Sequence, residues 1–276
     1  MEREIVLLTE DSVPARILAH AIVMHNLNLR GIIIQNTIPG TLARKSLHKG
    51  SLFKIILRKV IPKTVYRKLW HLKQPVQVRE LRKIRRRLSD QANEVLLTRL
   101  GQKADCTWPT QLDILTVSSV NSEESYNYLT RAKPDLLAVW GTSILKKRII
   151  EIPELGALNA HSAVLPDYKG NFVEFWQAYN CDYDKAGITI HFIDPGVDTG
   201  DIVFQKKLNI KATSNPYLIS ALNKIEVVNS YPTVIKSVLD GTAVRSKQGD
   251  SPLPVYRLSD ITTEKELELY TRQGYD

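Results

Sequence analysis

Short apolar runs alternate with helix-like stretches along most of the chain. Residues 4–8 and 31–34 are apolar and rich in β-branched side chains, and they predict two strands. Residues 15–27, between them, carry the periodicity of a helix. A strand, a helix and a strand at this spacing are typical of the start of a parallel α/β sheet. The first turn contains no glycine, which argues against the Gly-x-Gly-x-x-Gly phosphate turn of dinucleotide-binding folds.

The alternation resumes in the second half of the chain. Further strands are predicted at 112–117, 136–140, 157–160 and 187–193. Helices are predicted at 122–133, 146–150, 172–179, 217–228 and 232–239. The sequence therefore predicts an α/β fold built on an open, mostly parallel sheet.

Composition indicates a folded globular chain. Of the 276 residues, 43% are hydrophobic and 24% are charged, which suffices for a substantial core. The two cysteines cannot build a disulfide framework, and the start Met-Glu-Arg-Glu lacks the layout of a signal peptide. No apolar run approaches the roughly 20 residues that cross a bilayer. We therefore expect a cytoplasmic protein.

Positive charge is concentrated in one segment. Residues 41–103 contain 18 Lys or Arg and 3 Asp or Glu, whereas the remaining residues contain 20 and 26. Residues 43–100 are predicted to be helical, with a break at Pro62 and a very basic second helix over 79–100. This basic insert either packs its apolar stripe on the body and exposes its charges, or contacts an anionic membrane, a partner or a phosphorylated ligand.

The domain organisation follows from these patterns. We expect a catalytic domain over residues 1–210, interrupted by the basic insert 41–103, and a helical and extended C-terminal subdomain over 211–276. The oligomeric state is left open by the sequence, and a homo-oligomer is compatible with it.

Three polar residues follow predicted strands where an open sheet places its active site. Asn159 and His161 lie two positions apart, so both side chains face the same side of an extended segment. Asp198 lies in the loop after the strand at 187–193. An amide, an imidazole and a carboxylate that converge can stabilise an oxyanion during acyl transfer, although each residue alone is more often structural.

The surroundings of these residues resemble the formyltransferases that use 10-formyltetrahydrofolate. Gly156-Ala-Leu-Asn159-Ala-His161-Ser-Ala-Val-Leu-Pro-Asp-Tyr-Lys-Gly170 is similar to the family segment Asn-x-His-x-Ser-Leu-Leu-Pro-x-Tyr-Arg-Gly. Gly187-Ile-Thr-Ile-His191 and Asp198-Thr-Gly-Asp201 resemble two later family elements. The resemblance is good over 112–210, loose over the first 35 residues and nearly absent in the basic insert.

The resemblance implies a Rossmann-like catalytic domain, N10-formyltetrahydrofolate as co-substrate, no metal, and Asn159, His161 and Asp198 as the catalytic triad. It also implies a folate pocket formed by Ser143, Ile144, Leu145, Ile193, Asp194 and Val197. Acceptor contacts are expected from Ser162, Tyr168, Lys169 and Trp176. Lys169 stands where the family usually has an arginine, and a lysine cannot make its bidentate contact. For His191 a structural or acceptor-side role is favoured over catalysis.

The acceptor is expected to be a small-molecule amine, and an amino sugar on a nucleotide is the first choice because surplus Lys and Arg would attract its phosphates. An amino-acid or hydroxylamine nitrogen, as in siderophore assembly, is the second choice. Methionyl-tRNA is a further alternative. The resemblance implies that a methionyl-tRNA enzyme would carry a further β-barrel domain of about 100 residues, but only about 65 residues follow Ile210. A transfer RNA acceptor, and nucleic acid in general, are therefore disfavoured. A non-enzymatic folate-binding or membrane-associated protein is the remaining alternative.

Overall fold

The computed structural model describes residues 3–36, 76–102 and 105–275. The first part of the predicted helical insert, including Pro62, lies outside these residues. Within them seven strands form one sheet: β1 (Glu4–Glu10), β2 (Asn28–Gln35), β3 (Asp113–Val117), β4 (Leu136–Trp140), β5 (Ala157–His161), β6 (Gly187–Phe192) and β7 (Ile202–Lys207).

The sheet confirms the predicted open α/β architecture. Its strand order is β3-β2-β1-β4-β5-β6-β7. The first five strands are parallel, and β6 and β7 run antiparallel to their neighbours. Strand β7 begins with the partly buried Ile202-Val-Phe204 and ends in three exposed polar residues. An apolar run of only three residues is too short to predict a strand by itself.

Helices cover both faces of the sheet. They are α1 (Val13–Met24), α2 (Val76–Arg99), α3 (Glu123–Ala132), α4 (Lys147–Ile150), α5 (Val173–Tyr179), α6 (Pro216–Leu239) and α7 (Thr263–Arg272). Helices α1 and α6 pack with the sheet in one apolar cluster, which includes Ile22, Tyr231 and Ile235. A second cluster on the opposite face includes residues of α3 and α4. Helix α7 was not predicted.

Helix α6 corrects the prediction of two helices separated at Pro232. The helix runs unbroken through this proline. An internal proline removes one backbone hydrogen bond and costs about 3 kcal/mol or more. The same turn buries Val228, Tyr231 and Ile235 completely or nearly so. We attribute the continuity of the helix to this packing, since tertiary contacts routinely outweigh local propensity.

The described part of the basic insert, helix α2, packs on the body. Leu81 and Leu88 are buried in a cluster with Tyr168, Phe175 and Trp176, and Leu96 packs with residues of α6. Arg85 forms an ion pair with the buried Glu266 on α7. The rest of the predicted helix 79–100 exposes its charges, in agreement with an amphipathic packed helix. None of the helices in the described ranges is long and apolar enough to cross a membrane.

A segment between α6 and α7 returns to the sheet edge. Ser246 exchanges two backbone hydrogen bonds with Ile202 at the start of β7. Farther along, Tyr256 pairs with Gly170 in a parallel bridge. We call residues 246–258, which include both of these contacts, the C-terminal strap. Helix α6 shares the main core with the sheet, and the predicted boundary at residue 210 stays a prediction.

Candidate active site

Adjacent strands β5 and β6 bring the first polar residues of the site together. Asn159 on β5 is the register partner of His191 on β6, so their side chains project on the same face of the sheet. Asn159 Nδ2 lies 3.2 Å from His191 Nε2. His161, two residues beyond Asn159, ends β5 on that face.

Asp198 reaches these residues from the loop that follows β6. Its Oδ2 lies 3.6 Å from His161 Nδ1, and its Oδ1 lies 3.6 Å from His191 Nε2. The backbone N–H of Gly170 donates to Oδ2 at 2.8 Å. The structure thus brings the three residues of the predicted triad together and adds His191 as a fourth member.

Hydrogen-bond partners define the orientation of both imidazole rings. His191 Nδ1 lies 2.8 Å from the carbonyl oxygen of Phe192. A carbonyl oxygen only accepts, so this nitrogen carries a hydrogen. Nε2 accepts from Asn159 when the ring is neutral, and it carries a hydrogen that faces Asp198 Oδ1 when the ring is protonated. The Asn159 amide therefore keeps one N–H for another acceptor. His161 Nε2 in turn donates to the carbonyl oxygen of Tyr168 at 2.6 Å.

Two carboxyl groups, those of Asp198 and Glu174, have pKa values shifted in opposite directions. Burial alone would raise the pKa of the Asp198 carboxyl, but His161, His191 and the Gly170 N–H outweigh burial and hold this pKa well below its usual range. Asp198 is therefore an anion beside two imidazoles. A second carboxyl behaves oppositely, because complete burial raises the pKa of Glu174 on α5 against the opposing influence of Lys224 and Ser220.

The residues predicted for the folate pocket lie at the ends of β4 and β6. Leu145 is buried, and the partly buried Ile193 packs in the same apolar cluster. Ile144 is 68% exposed, and Ser143 Oγ donates to Gln35. Asp194 accepts from Gly196 N and Thr199 Oγ1, and so shapes the turn that contains the half-buried Val197. The two segments flank one apolar region, and the assignment of these six residues to folate stays a prediction.

Two of the four predicted acceptor contacts lie in the core. Tyr168 is fully buried and donates from its hydroxyl to Asp182 at 2.5 Å, and Trp176 is 7% exposed. Lys169 and Ser162 are half-buried, and their carbonyl oxygens accept from Tyr256 N and Asn223 Nδ2. The Tyr168 and Trp176 side chains are thus buried in one apolar cluster, whereas Lys169 and Ser162 keep some exposed surface.

Some residues of the site were not singled out from the sequence. The sequence left the role of His191 open, and only the register of β5 and β6 shows its contact with Asn159. Gly170 was noted only as a motif residue, yet its N–H contacts Asp198. Glu174 lies among Phe172, Phe175 and Trp176 in the helix predicted at 172–179 and gave no separate signal. Across the described ranges, no group of three or more His, Cys, Asp or Glu side chains could hold a metal ion.

Known proteins resemble this chain in sequence and in fold. A family profile described as Formyl transferase matches residues 73–235, more than half of the chain. A methionyl-tRNA formyltransferase of Methylacidiphilum infernorum is 41% identical over 97 residues, which cover 34% of this chain and 30% of that protein. The match therefore spans about a third of this relative's length.

Solved structures share the fold at low sequence identity. A sugar N-formyltransferase from a Shewanella species superposes with a TM-score of 0.55 at 12% identity, over 99% of this chain and 88% of that chain. A sugar 3N-formyl transferase, solved in the presence of dTDP and 5-N-formyl-THF, gives a TM-score of 0.52 at 15% identity, over 100% and 82% of the two chains. At these identities the likeness shows the fold alone.

Proposed function

The chain belongs to the formyl transferase family, and we propose that it transfers the formyl group of 10-formyltetrahydrofolate to an amine. The observation that supports this most strongly is the convergence of Asn159, His161 and Asp198 at the end of β5. Their order and spacing match the motif residues of the family resemblance. The convergence also supplies the groups that acyl transfer to an amine requires: a hydrogen-bond donor, a proton carrier and an anion.

The pocket for the folate is proposed at the segments around Leu145 and Ile193. Their shared apolar cluster and the exposed Ile144 provide apolar surface for a flat heterocycle. When bound, the formyl-folate would supply an activated carbonyl group for attack by the amine. The residues of this chain would hold it with its carbonyl toward Asn159.

Asn159 is proposed to stabilise the negative charge that develops on the carbonyl oxygen. One amide N–H is directed at His191, and the other is free to donate. The Phe192 carbonyl fixes the hydrogen of His191 on Nδ1, which leaves Nε2 of the neutral ring as an acceptor. If the Asn159 amide flipped, its oxygen would face Nε2 and the hydrogen bond between Asn159 and His191 would be lost. A single donor of this kind typically contributes about 3 to 4 kcal/mol to the barrier.

His161 is proposed to receive the proton that the attacking amine must lose. Its Nδ1 faces Asp198 Oδ2, and a positive charge on the ring would be stabilised by this carboxylate at 3.6 Å. Because Nε2 already donates to Tyr168, Nδ1 is the nitrogen at which the proton would be held. The low pKa of Asp198 keeps it from competing for that proton.

An amino sugar on a nucleotide is the acceptor that we propose. Lys83, Arg86 and Arg87 are exposed on α2. Lys83 and Arg86 form exposed ion pairs with Glu80 and Asp90, but the helix keeps a net positive charge, which attracts phosphates over long distances. The extent of the fold match to a sugar N-formyltransferase, 99% of this chain, is compatible with this acceptor. If the basic helix instead serves an anionic membrane, the protein should pellet with phosphatidylserine vesicles in a salt-dependent way.

Methionyl-tRNA is the second candidate acceptor. The observation in its favour is the 41% identity to a methionyl-tRNA formyltransferase over 97 residues. If transfer RNA is the acceptor, its binding affinity should fall strongly as the salt concentration rises, because each phosphate contact releases counterions.

The test is conversion of 10-formyltetrahydrofolate to tetrahydrofolate, followed by absorbance with a panel of acceptors. The panel contains amino-sugar nucleotides, hydroxyornithine-like amines and initiator methionyl-tRNA. We expect turnover with an amino-sugar nucleotide that disappears in His161→Ala. Turnover with methionyl-tRNA alone would replace the sugar proposal, and folate binding without turnover on any acceptor would indicate a binding protein.

A further inference from the structure

The C-terminal strap contacts the loop that carries Asp198. The side-chain amide of Gln248 donates to the carbonyl oxygens of Asp198 at 3.0 Å and Gly200 at 2.7 Å. Both hydrogens of one NH₂ group are thus used on the same turn. Gln248 is half-buried, and its own Oε1 is buried without a hydrogen-bond partner.

The loop needs such an external constraint. Asp198 has a φ of 51°, in the left-handed region that residues other than glycine adopt at a cost. Asp194 accepts from Gly196 N and Thr199 Oγ1 within the loop, but neither of these bonds holds the backbone of Asp198. Gln248 binds the carbonyl group of Asp198 itself and that of Gly200, two residues later.

The strap also contacts the opposite side of the site. Tyr256 N donates to Lys169 O, and Asn171 N donates to Tyr256 O, so the strap pairs with the backbone on both sides of Gly170. The N–H of Gly170 is the donor to Asp198 Oδ2. The Tyr256 ring stacks on Tyr168 at 5.2 Å, and the Tyr168 carbonyl accepts from His161.

We propose that the C-terminal strap positions the catalytic groups, with Gln248 as a positioning residue that holds the Asp198 carboxylate against His161. The strap lies outside the residues 73–235 that match the family profile. The inference rests on the proposed function for its catalytic consequence, whereas the constraint on the loop can be measured without turnover. Small displacements of a catalytic group can cost up to about 100-fold in rate, so a clamp on one loop matters.

The experiment compares Gln248→Leu with the wild type and with Gln91→Leu, a control at an exposed position of α2. Turnover of 10-formyltetrahydrofolate is measured with an amino-sugar nucleotide as acceptor. We expect Gln248→Leu to lower kcat about tenfold or more, with the KM for the folate changed less than about twofold. Gln91→Leu should retain both constants. A kcat of Gln248→Leu within twofold of the wild type would overturn the proposal.

Gln248→Glu separates positioning from simple structural support. Its ionised carboxylate would face two carbonyl oxygens and repel them, whereas the protonated acid has a hydrogen to donate. We expect its kcat, relative to the wild type, to recover as the pH falls from 7 toward the ordinary carboxyl pKa of about 4.3, while the ratio for Gln248→Leu stays constant. If the kcat ratios of Gln248→Glu and Gln248→Leu changed with pH in the same way, the hydrogen bonds from residue 248 to the loop would have no role in positioning.

Hydrogen exchange of the ligand-free protein keeps the result independent of the acceptor. Peptides that cover 193–201 should exchange faster in Gln248→Leu, and peptides of β1 should be unchanged. Unchanged exchange at 193–201 would refute the clamp. Faster exchange in a protein whose wild type shows no turnover would support the clamp and reject the proposed function.

Discussion

Replacement of Asp198 by Asn tests the electrostatic part of the proposed mechanism. The amide has nearly the same shape, and its oxygen can still accept the Gly170 N–H, so the fold of the loop should be retained. The substitution removes the negative charge and places an NH₂ group where one carboxylate oxygen was. The substitution therefore isolates the stabilisation of a positive charge that forms on His161.

The size of the effect follows from the distance between the two groups. At 3.6 Å, two unit charges near a protein surface interact by about 4 to 5 kcal/mol when the effective dielectric constant is about 20. The Asp198 side chain is 14% exposed, so solvent weakens this interaction moderately. With about 1.4 kcal/mol per factor of ten, a net loss of about 2 to 4 kcal/mol lowers kcat/KM by roughly 30-fold to 1000-fold.

The assay is folate turnover with the acceptor that the panel identifies, and thermal unfolding verifies that the variant is folded. Asp240→Asn, at the exposed C-terminal cap of α6, is the matched control and should behave as the wild type. If Asp198→Asn keeps more than about a third of the wild-type kcat/KM while Asp240→Asn is unaffected, the charge on Asp198 does not contribute as argued.

Three further predictions concern stability and close packing. Tyr231→Phe removes a buried hydroxyl that donates to Leu158 O at 2.7 Å, so the free energy of unfolding should fall by about 1 to 3 kcal/mol in chemical denaturation, and an unchanged value would contradict this. Gly170→Ala would place a Cβ 2.0 Å from Tyr256 O, and Gly241, also at positive φ but with open space around it, is the control. Gly170→Ala should lower both the melting temperature and kcat more than Gly241→Ala does; equal effects would show that backbone strain alone matters. The raised pKa of Glu174 means that the folded state binds its proton more tightly than the unfolded chain, so its contribution to stability decreases as the pH rises above about 4.3. Glu174→Gln should therefore gain stability relative to the wild type between pH 5 and pH 8, and a pH-independent difference would refute the shift.

A related pH effect is expected for Asp198 itself, with the opposite sign. Its pKa is lowered in the folded chain, so the stabilisation from the carboxylate is complete above about pH 4 and disappears as the pH falls further. The difference in unfolding free energy between the wild type and Asp198→Asn should therefore narrow below pH 4. A constant difference would indicate that the two imidazoles do not lower this pKa.

Hydrophobic periodicity determined the fold class and most of the elements. The six strands from β1 to β6 carry apolar residues that are buried in the sheet. Such apolar runs are a local pattern, so a short stretch of sequence is enough to detect them. Strand β7 was missed because its apolar run is only three residues long, and helix α7 because it is largely polar. The continuity of α6 through Pro232 depends on packing, which local propensity does not contain.

The sequence by itself also indicated the group Asn159, His161 and Asp198, because their residue types and spacing follow a short ordered motif. Motif spacing is local, and it therefore contains no information about which distant segments contact these residues. Only the tertiary structure decided that His191 orients Asn159, since that contact depends on the register of two antiparallel strands. The same holds for Gln248, which lies 50 residues from Asp198 in sequence and contacts its backbone only because the C-terminal strap returns to the sheet edge.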